Sequence, residues 1–237
     1  MKRAFVKILD FIFPRHCLVC GKMNPAGVYK YLCESCASAP FAFQVARCKK
    51  CAEIVGGEIS PHGCAKCETE NFHFDEALVA CEYASAGREL VLELKYRSGL
   101  WVANDIVNLI AETKGFREYF ENATVVPVPV SATRKRSRGY NQSEVIARLL
   151  AKNFKLNFCD IIKRKRHTNT QTALTREERA RNVKGAFEMR KNILPKETPV
   201  IIIDDVITSG ATLNECAKVL KKSGFKNIRI FAFARRS

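Results

Sequence analysis

The sequence predicts an α/β fold with a parallel sheet, preceded by a small cysteine-rich module. Two observations predict the sheet. After Asp75, apolar runs alternate with amphipathic stretches, and the runs Val125–Val130 and Val200–Ile203 are nearly continuous, as in strands buried on both faces. A third observation predicts the module, because eight of the 11 cysteines precede residue 70. We therefore place the module at residues 1–74 and the α/β domain at residues 75–237.

The composition excludes several classes of protein. The chain has 237 residues, of which 47% are hydrophobic and 27% charged, a mixture unlike that of disordered, collagen-like or coiled-coil proteins. No apolar run is long enough to span a membrane, since even Ala4–Phe13 contains Lys7 and Asp10. The basic Lys2 and Arg3 are followed by no small-residue cleavage site of a secretory signal. We expect a cytoplasmic protein.

The first predicted element is a short amphipathic helix that ends before Pro14. We expect its apolar face to dock on the core of the protein. The alternative is a peripheral contact with a membrane surface, in which only Lys2, Arg3 and Lys7 would meet lipid head groups. The apolar positions at helical spacing are Phe5, Ile8, Leu9 and Ile12.

The cysteine-rich module contains four Cys-x-x-Cys pairs. Twelve residues separate the first pair from the second, and again the third from the fourth, which indicates a duplicated unit. Two such pairs place four thiolates tetrahedrally around Zn²⁺ and leave no open position, so we predict two structural zinc sites. Disulfides would instead require an oxidising compartment. The pairs are Cys17/Cys20, Cys33/Cys36, Cys48/Cys51 and Cys64/Cys67.

The spacing alone does not decide which two Cys-x-x-Cys pairs bind the same zinc ion. We favour neighbouring pairs, because the gap containing Asn24, Pro25 and Gly27 offers the turn that a short hairpin needs. An interleaved arrangement would use the same cysteines. Gly21, directly after Cys20, suits a metal-binding turn with positive φ. The nearby histidines are expected at the surface: His16, His62 and His73.

The alternation after Asp75 predicts four strands and four helices. The remaining cysteines have no paired spacing and are expected to be buried free thiols; they are Cys81, Cys159 and Cys216. The predicted strands cover 78–83, 124–130, 199–205 and 227–234. The predicted helices cover 86–96, 101–119, 141–153 and 212–223.

The most informative segment runs from Val200 to Thr212. A buried strand delivers Asp204 and Asp205 at its carboxyl end, where open α/β sheets bind ligands, and a loop around Gly210 leads into a helix. The N–H groups of the loop and the helix N-terminus would bind a phosphate. The two carboxylates would accept hydrogen bonds from sugar hydroxyl groups, or hold Mg²⁺ through them. The loop hydroxyl groups belong to Thr208, Ser209 and Thr212.

Two considerations oppose this interpretation. In an ordinary strand-to-helix turn, Thr212 would cap the helix and both aspartates would face water. A pleated strand also sends Asp204 and Asp205 to opposite faces, so they can serve one ligand only if the chain bends.

The positive charge is concentrated in one quarter of the chain. Of the formal net charge of +16, residues 131–190 supply +11, from 16 basic and five acidic side chains. This asymmetry predicts an anionic ligand or polymer. Arg134, Lys135, Arg136 and Arg138 lie between a strand and a helix, where guanidinium groups can bind pyrophosphate or nucleic-acid phosphates. The alternative is a solvated turn.

The segment from Val200 to Thr212 resembles the phosphoribosyl pyrophosphate (PRPP) loop of type I phosphoribosyltransferases. Together with further motifs, the chain resembles the ComF family of competence-associated proteins over essentially its whole length. The resemblance implies a type I phosphoribosyltransferase-like core with a parallel sheet, preceded by an N-terminal double zinc ribbon. Ala211 stands where the family often has a further hydroxyl group. The further motifs are Pro127-Val128-Pro129, Arg134-Lys135-Arg136, Arg138 to Gln142, and Arg179, Asn182 to Gly185 and Phe187.

The resemblance and the charge pattern together give the expected binding residues. Asp204 and Asp205 would be catalytic, and Mg²⁺ would accompany PRPP. The expected PRPP-binding residues are Lys95, Ser131, Arg134, Asp204, Asp205, Val206, Thr208, Ser209, Gly210, Ala211 and Thr212. The expected nucleic-acid-binding residues are Arg134, Lys135, Arg136, Arg138, Lys163, Arg164, Lys165, Arg166, Arg176, Arg179, Arg181 and Lys184.

The polar stretch from His167 to Gly185 is expected to be mobile. Related transferases cover PRPP with a flexible loop here, and closure of such a lid excludes water from the sugar. The basic residues of this stretch could equally follow a sugar-phosphate backbone. Both roles are compatible.

Three functions remain open at this stage. The first is a protein that binds PRPP and single-stranded DNA during DNA uptake, alongside partner proteins of the uptake machinery. Binding of single strands normally adds aromatic stacking, for which the basic block offers only Tyr140, Phe154, Phe158 and Phe187. The second is an active phosphoribosyltransferase acting on a base or amine, although no acceptor pocket is visible in the sequence. The third is a zinc-ribbon regulator that senses PRPP through a partner.

Overall fold

The structure is a computed structural model that describes most of the chain. The described ranges are 15–24, 27–38, 46–56, 63–97, 99–165, 176–191 and 194–236. The predicted N-terminal amphipathic helix and residues 167–175 of the predicted lid lie outside them. Among the described helices, none combines the length and the apolar character needed to cross a bilayer.

The predicted parallel sheet is present and has five strands in the order β1-β7-β6-β2-β3. Its central strand β6 pairs with β7 and β2, so that Ile203 lies opposite Phe231 and Pro127. A separate antiparallel pair, β4 and β5, stands outside this sheet. The strands are β1 (Glu76–Glu82), β2 (Thr124–Pro127), β3 (Asn157–Phe158), β4 (Ile162–Arg164), β5 (Phe187–Met189), β6 (Val200–Ile207) and β7 (Ile228–Arg235).

The helices agree with three of the four predicted and add short ones. They are α1 (Glu34–Ser38), α2 (Ala65–Thr69), α3 (Ser85–Tyr96), α4 (Ala103–Ala111), α5 (Phe116–Phe120), α6 (Ala132–Arg138), α7 (Gln142–Phe154), α8 (Arg176–Val183) and α9 (Ala211–Lys222), with a 3₁₀ turn at Leu100–Val102. The helix predicted over 101–119 is wrong as one element. It breaks after Ala111, and Gly115 at φ +77° starts α5. The strand predicted over 124–130 ends at Pro127, since Pro129 has no N–H with which to continue the ladder.

The two faces of the sheet have separate cores. Ile201 and Ile203 pack under α3, α4 and α7, whereas Val200 and Ile202 pack against α9 and the β4–β5 pair. All four side chains are fully buried, and each stabilises the fold by about 1.5–3 kcal/mol. The alternation does not continue beyond the two aspartates, because Val206 packs with the core of Ile203 and Ile207 with the core of Ile202.

The basic run after β2 forms helix α6, which the sequence pattern did not predict. The helix has no buried residue and therefore no apolar stripe. Its signals lie at its ends: Ser131 Oγ accepts a hydrogen bond from the Arg134 N–H at 3.3 Å, and Gly139 adopts φ +81° after the last residue. The solvated turn considered for this run is replaced by a capped helix.

Both halves of the cysteine-rich module pack on the α/β domain. In the first half, Asp105 of α4 accepts hydrogen bonds from the N–H groups of Lys30 and Tyr31, at 2.9 and 2.7 Å. In the second half, the buried Arg235 of β7 donates to Glu53 Oε2 at 2.6 Å. These contacts fix the module relative to the sheet that carries the aspartates.

Candidate functional site

The eight paired cysteines form two clusters of four. Within each cluster the sulfur atoms all lie within 4.8 Å of one another. The Sγ–Sγ distances of 3.7 Å for Cys48–Cys67 and 3.5 Å for Cys51–Cys64 are close to the edge of about 3.8 Å of a tetrahedron with Zn–S bonds of about 2.3 Å. The clusters fit two structural zinc ions. The first cluster consists of Cys17, Cys20, Cys33 and Cys36, and the second of Cys48, Cys51, Cys64 and Cys67.

Each cluster is formed by two neighbouring Cys-x-x-Cys pairs, as predicted. The two halves also repeat one turn. The N–H of Gly21 donates to the Cys17 carbonyl at 2.9 Å, and the N–H of Ala52 donates to the Cys48 carbonyl at 2.7 Å. Gly21 has φ +69°, which confirms its predicted role, and Ala52 has φ +58° without being glycine. The two halves therefore share the backbone conformation of this turn, although one has glycine and the other alanine at the position with positive φ.

The second candidate site is a cavity of about 360 Å³ at the carboxyl end of the sheet. It lies at the ends of β6, β2 and β1, where ligands bind in open α/β sheets. All but one of the predicted PRPP-binding residues line it. The exception is Ser131, which is buried as the cap of α6. The predicted residues in the lining are Lys95, Arg134, Asp204, Asp205, Val206, Thr208, Ser209, Gly210, Ala211 and Thr212.

The two aspartates line the same cavity, although neighbouring side chains leave a strand on opposite faces. Asp204 Oδ1 accepts hydrogen bonds from Ser143 Oγ and from the Asp205 N–H, both at 2.9 Å. Asp205 Oδ1 lies 3.0 Å from Lys95 Nζ, and the Asp205 side chain is only 9% exposed. A lysine thus neutralises one carboxylate, and hydrogen bonds hold the other.

Asp204 has an unusual protonation equilibrium. Burial raises its pKa, the negative charge of Asp205 raises it as well, and Lys95 and the hydrogen bond from Ser143 lower it, with a resulting pKa of about 7. At neutral pH the carboxyl group is therefore divided between its neutral and charged forms. It can donate or accept a hydrogen bond to a sugar hydroxyl group.

The loop after β6 presents the amino end of α9 to the cavity. Gly210 has φ +82° and precedes the helix, with no side chain capping it. Ser209 Oγ accepts a weak hydrogen bond from the Ala211 N–H at 3.4 Å. Thr212 lies inside the first turn, so the alternative in which it caps the helix is wrong. The first N–H groups of the 12-residue helix have no partner within it, an arrangement that favours anions.

Arginine side chains also line the cavity, among them Arg134, Arg138 and Arg164. Arg138 donates to Gln142 Oε1 at 3.0 Å, and its guanidinium lies 5.2 Å from the ring centre of Tyr96. Burial lowers the pKa of Arg164, and the neighbouring charge of Arg134 lowers it further. The electrostatic repulsion between the two arginines would be relieved by an anion between them.

The other predicted nucleic-acid-binding residues are exposed wherever the structure describes their side chains, and Lys163 among them lies on β4. Lys135 pairs loosely with Glu144 at 3.7 Å, Lys163 pairs with Glu188 at 3.0 Å, and Arg136 is exposed. Lys165 and Lys184 are partly or fully exposed, as is Arg181 of α8. Helix α8 also carries Arg176 and Arg179, and Arg166 lies outside the described residues.

Several residues of the cavity were not predicted from the sequence. Ser143 reaches Asp204 from a position 61 residues earlier, and its only local signal is its place in the first turn of α7, after the cap Asn141. Aromatic and aliphatic side chains, which the sequence did not indicate as an acceptor pocket, form part of the wall. The unpredicted lining residues include Tyr83, Leu92, Tyr96, Gln142, Ser143 and Arg236.

Comparisons with known proteins match both parts of the chain. Residues 8–68 match the double zinc ribbon domain, and residues 140–237 match the phosphoribosyl transferase domain. The chain is 29% identical over 213 residues to competence protein F of Haemophilus influenzae, covering 86% of this chain and 90% of that protein. It is 27% identical over 228 residues to the DNA utilization protein YhgH of Salmonella typhi, covering 94% and 97%. It is 31% identical to competence protein ComFC of Streptococcus pneumoniae over about half of each chain, 54% and 53%. The parallel sheet is therefore a phosphoribosyltransferase-like core behind a double zinc ribbon.

Proposed function

The chain belongs to the ComF family, and from this premise we propose that it acts in DNA uptake by binding PRPP in the cavity and single-stranded DNA on its basic surface. Relatives named for competence and for DNA utilization support the role in DNA uptake. We propose that this happens in the cytoplasm, where thiolate–zinc sites persist and partner proteins of the uptake machinery are available.

One observation carries the proposal for PRPP: a single cavity contains groups for each part of that ligand. The N-terminus of α9 and the loop at Gly210 would bind the 5-phosphate. Asp204 and Asp205 would contact the ribose hydroxyl groups. The arginine side chains Arg134 and Arg164 would bind the pyrophosphate together with its Mg²⁺. Carboxylates and cations thus line the same cavity, as a ligand with both hydroxyl and phosphate groups requires.

The test is calorimetric titration of the zinc-loaded chain with PRPP and Mg²⁺. Arg134 and Arg136 form a matched pair, because both belong to α6 but only Arg134 lines the cavity. We expect Arg134→Gln to weaken binding about tenfold or more, since it removes a charge-assisted contact worth about 1.5–3 kcal/mol, and Arg136→Gln to leave it nearly unchanged. Equal effects of the two substitutions, or no binding by the parent protein, would contradict the proposal.

The proposal for single-stranded DNA rests on the charge of residues 131–190 and on aromatic side chains outside that block. Tyr96 is 64% exposed beside Arg138, and Trp101 is 38% exposed. These rings add to the stacking surfaces of the basic block, in which Phe154 is 36% exposed and Phe187 is buried. The combination of exposed cations and aromatic faces favours a flexible single strand.

Affinity for a single-stranded oligonucleotide should fall with salt. The slope of log K against log salt should be about −0.7 for each phosphate neutralised. Replacing both Lys135 and Arg136 with Gln should reduce the magnitude of that slope by about 1 to 1.5, because both cations are exposed on α6. A flat salt dependence of the parent protein would rule out the electrostatic contribution.

Turnover is a second candidate, favoured by the presence of Asp204, the phosphate loop and the arginines in one cavity. An acceptor nitrogen would form a bond to the anomeric carbon as the bond to pyrophosphate breaks. Pyrophosphate would leave with the electron pair, stabilised by the guanidinium groups, and the acceptor would lose a proton. The test is pyrophosphate release from PRPP and Mg²⁺ with a panel of bases and amines. Release no greater than that of a variant with both Asp204 and Asp205 changed to Asn excludes turnover with those acceptors.

A further inference from the structure

Lys95 holds a position that a divalent cation would otherwise be expected to take. Its ammonium group lies 3.0 Å from Asp205 Oδ1, and the two side chains are 20% and 9% exposed. Lys95 belongs to the last turn of α3, while Asp205 lies in the second half of β6. The pair therefore joins two separate elements at the wall of the cavity.

The contacts leave one oxygen of each aspartate for a ligand. Oδ1 of Asp205 faces Lys95, and Oδ1 of Asp204 accepts from Ser143 and from the Asp205 N–H. Within the described part of the chain, Oδ2 of neither aspartate has a hydrogen-bond or ion-pair partner. Two acceptor oxygens that line one cavity suit a pair of neighbouring hydroxyl groups.

The charge of the group also disfavours a metal ion. Two carboxylates and one ammonium group sum to −1 at most, and protonation of Asp204, whose pKa burial raises to about 7, reduces this further. Mg²⁺ prefers several oxygen ligands, usually including carboxylates that are fully charged, and it retains bound water. An ammonium group held at one of these carboxylates repels the ion.

We propose that Lys95 replaces a divalent cation at the two aspartates, so that the cavity binds phosphorylated sugars with a vicinal diol, ribose 5-phosphate included, without magnesium. The inference rests on the proposed function of the cavity. In PRPP, Mg²⁺ would then accompany the pyrophosphate and not the ribose hydroxyl groups. Lys95 is a positioning residue in this account, because it acts through Asp205.

The test uses ribose 5-phosphate as the probe, because this monoester lacks the pyrophosphate that binds Mg²⁺ in PRPP. The zinc-loaded full chain is titrated calorimetrically in magnesium-free buffer and again with about 10 mM MgCl₂. We expect the Kd of the parent protein to differ by less than about threefold between the two buffers. Lys95→Met should weaken binding about tenfold or more without magnesium and recover with it, and Lys95→Arg, which retains the charge, should behave like the parent.

A double variant shows whether a loss of binding in Lys95→Met is caused by unfolding. Lys95→Met leaves Asp205 nearly buried without a partner, so the combined Lys95→Met and Asp205→Asn protein removes both charges and is expected to unfold at a temperature close to that of the parent. It should bind weakly and show no response to magnesium. Recovery of its binding by magnesium would contradict the role of the Asp205 carboxylate.

The outcomes separate this inference from the proposed function. If the parent protein binds PRPP with Mg²⁺ but binds ribose 5-phosphate only with magnesium, or not at all, the replacement of the cation by Lys95 is wrong and the PRPP site stands. The same holds if Lys95→Met binds ribose 5-phosphate in magnesium-free buffer as tightly as the parent. If neither ligand binds under any condition, both proposals fail.

Discussion

The ion pair between Arg235 and Glu53 gives a sharp test of how the second zinc ribbon is held on the sheet. Arg235 is 2% exposed, and it donates to Glu53 Oε2 at 2.6 Å and to the Cys51 carbonyl at 3.3 Å. Glu53 also accepts from Lys66 at 2.7 Å and is 30% exposed. Removal of the glutamate leaves a guanidinium group buried with one weak hydrogen bond, whereas removal of the arginine leaves a glutamate that still has Lys66 and some access to water.

The two substitutions should therefore have unequal effects. Breaking a buried pair from one side costs about 3–5 kcal/mol, and the partial exposure of Glu53 favours the lower end, about 3 kcal/mol. For a chain of this size that corresponds to a fall in Tm of about 6–12 °C for Glu53→Ala. Replacement of a buried charge by an apolar side chain of similar volume is often close to neutral, so Arg235→Met should lower the Tm much less.

The assay is thermal unfolding followed by circular dichroism, with two zinc ions per chain verified before each scan. The combined Glu53→Ala and Arg235→Met protein should recover most of the stability lost in Glu53→Ala, because no unpaired guanidinium remains. Glu197→Ala breaks an exposed pair with Lys226 and serves as the control, with no measurable change expected. If Arg235→Met destabilises the protein as much as Glu53→Ala, the desolvation argument is wrong.

Four further outcomes are expected. Elemental analysis should find two zinc ions per chain, and Cys64→Ser should leave about one, because each cluster requires all four thiolates. The pKa of Asp204 is raised by burial, so its contribution to stability is fully present below the unfolded pKa of 3.8 and is lost as the pH rises toward about 7. Asp204→Asn should therefore flatten the pH dependence of the unfolding free energy between these two values. An unchanged slope would count against the raised pKa. Trp101 is the single tryptophan and is 38% exposed, so a single-stranded oligonucleotide should quench its fluorescence, whereas quenching by PRPP alone would point to another cause. Asp105→Ala removes the acceptor for two backbone N–H groups of the first ribbon and should cost about 3 kcal/mol in chemical denaturation, with a loss below about 1 kcal/mol showing that the ribbon is held by other contacts.

Features set by local sequence could be predicted, and features set by distant pairing could not. The spacing of the cysteines defines the metal sites, because a Cys-x-x-Cys turn has little freedom in where it points its sulfur atoms. The strand, loop and helix around Gly210 likewise follow from contiguous residues. In contrast, Lys95 pairs with Asp205 across 110 residues, and the sequence indicated this lysine as an anion-binding residue but not as the partner of Asp205.

The errors in the predicted helices have a related cause. Helix periodicity detects an apolar stripe, and α6 has no buried residue. The second error, the continuous helix expected over 101–119, arose because an apolar pattern was present where the helix is interrupted. Apolar residues continue through both α4 and α5, but the left-handed backbone at Gly115 redirects the chain between them. Capping residues therefore predict these boundaries better than hydrophobic spacing does.

The location of the positive charge connects the two proposed ligands. Four thiolates on Zn²⁺ carry a net charge of −2, so two sites cancel the +4 of residues 1–74 and leave the excess on the α/β domain. Within that domain Arg138 has a place in both binding regions, since it lines the cavity and also lies over the exposed ring of Tyr96. A pyrophosphate group in the cavity would neutralise part of the charge that a nucleic-acid strand meets at this point. Binding of PRPP should therefore weaken binding of single-stranded DNA, and by linkage DNA should weaken binding of PRPP by the same factor. Arg138→Gln should reduce this coupling more than Arg136→Gln, whose side chain is exposed and does not line the cavity.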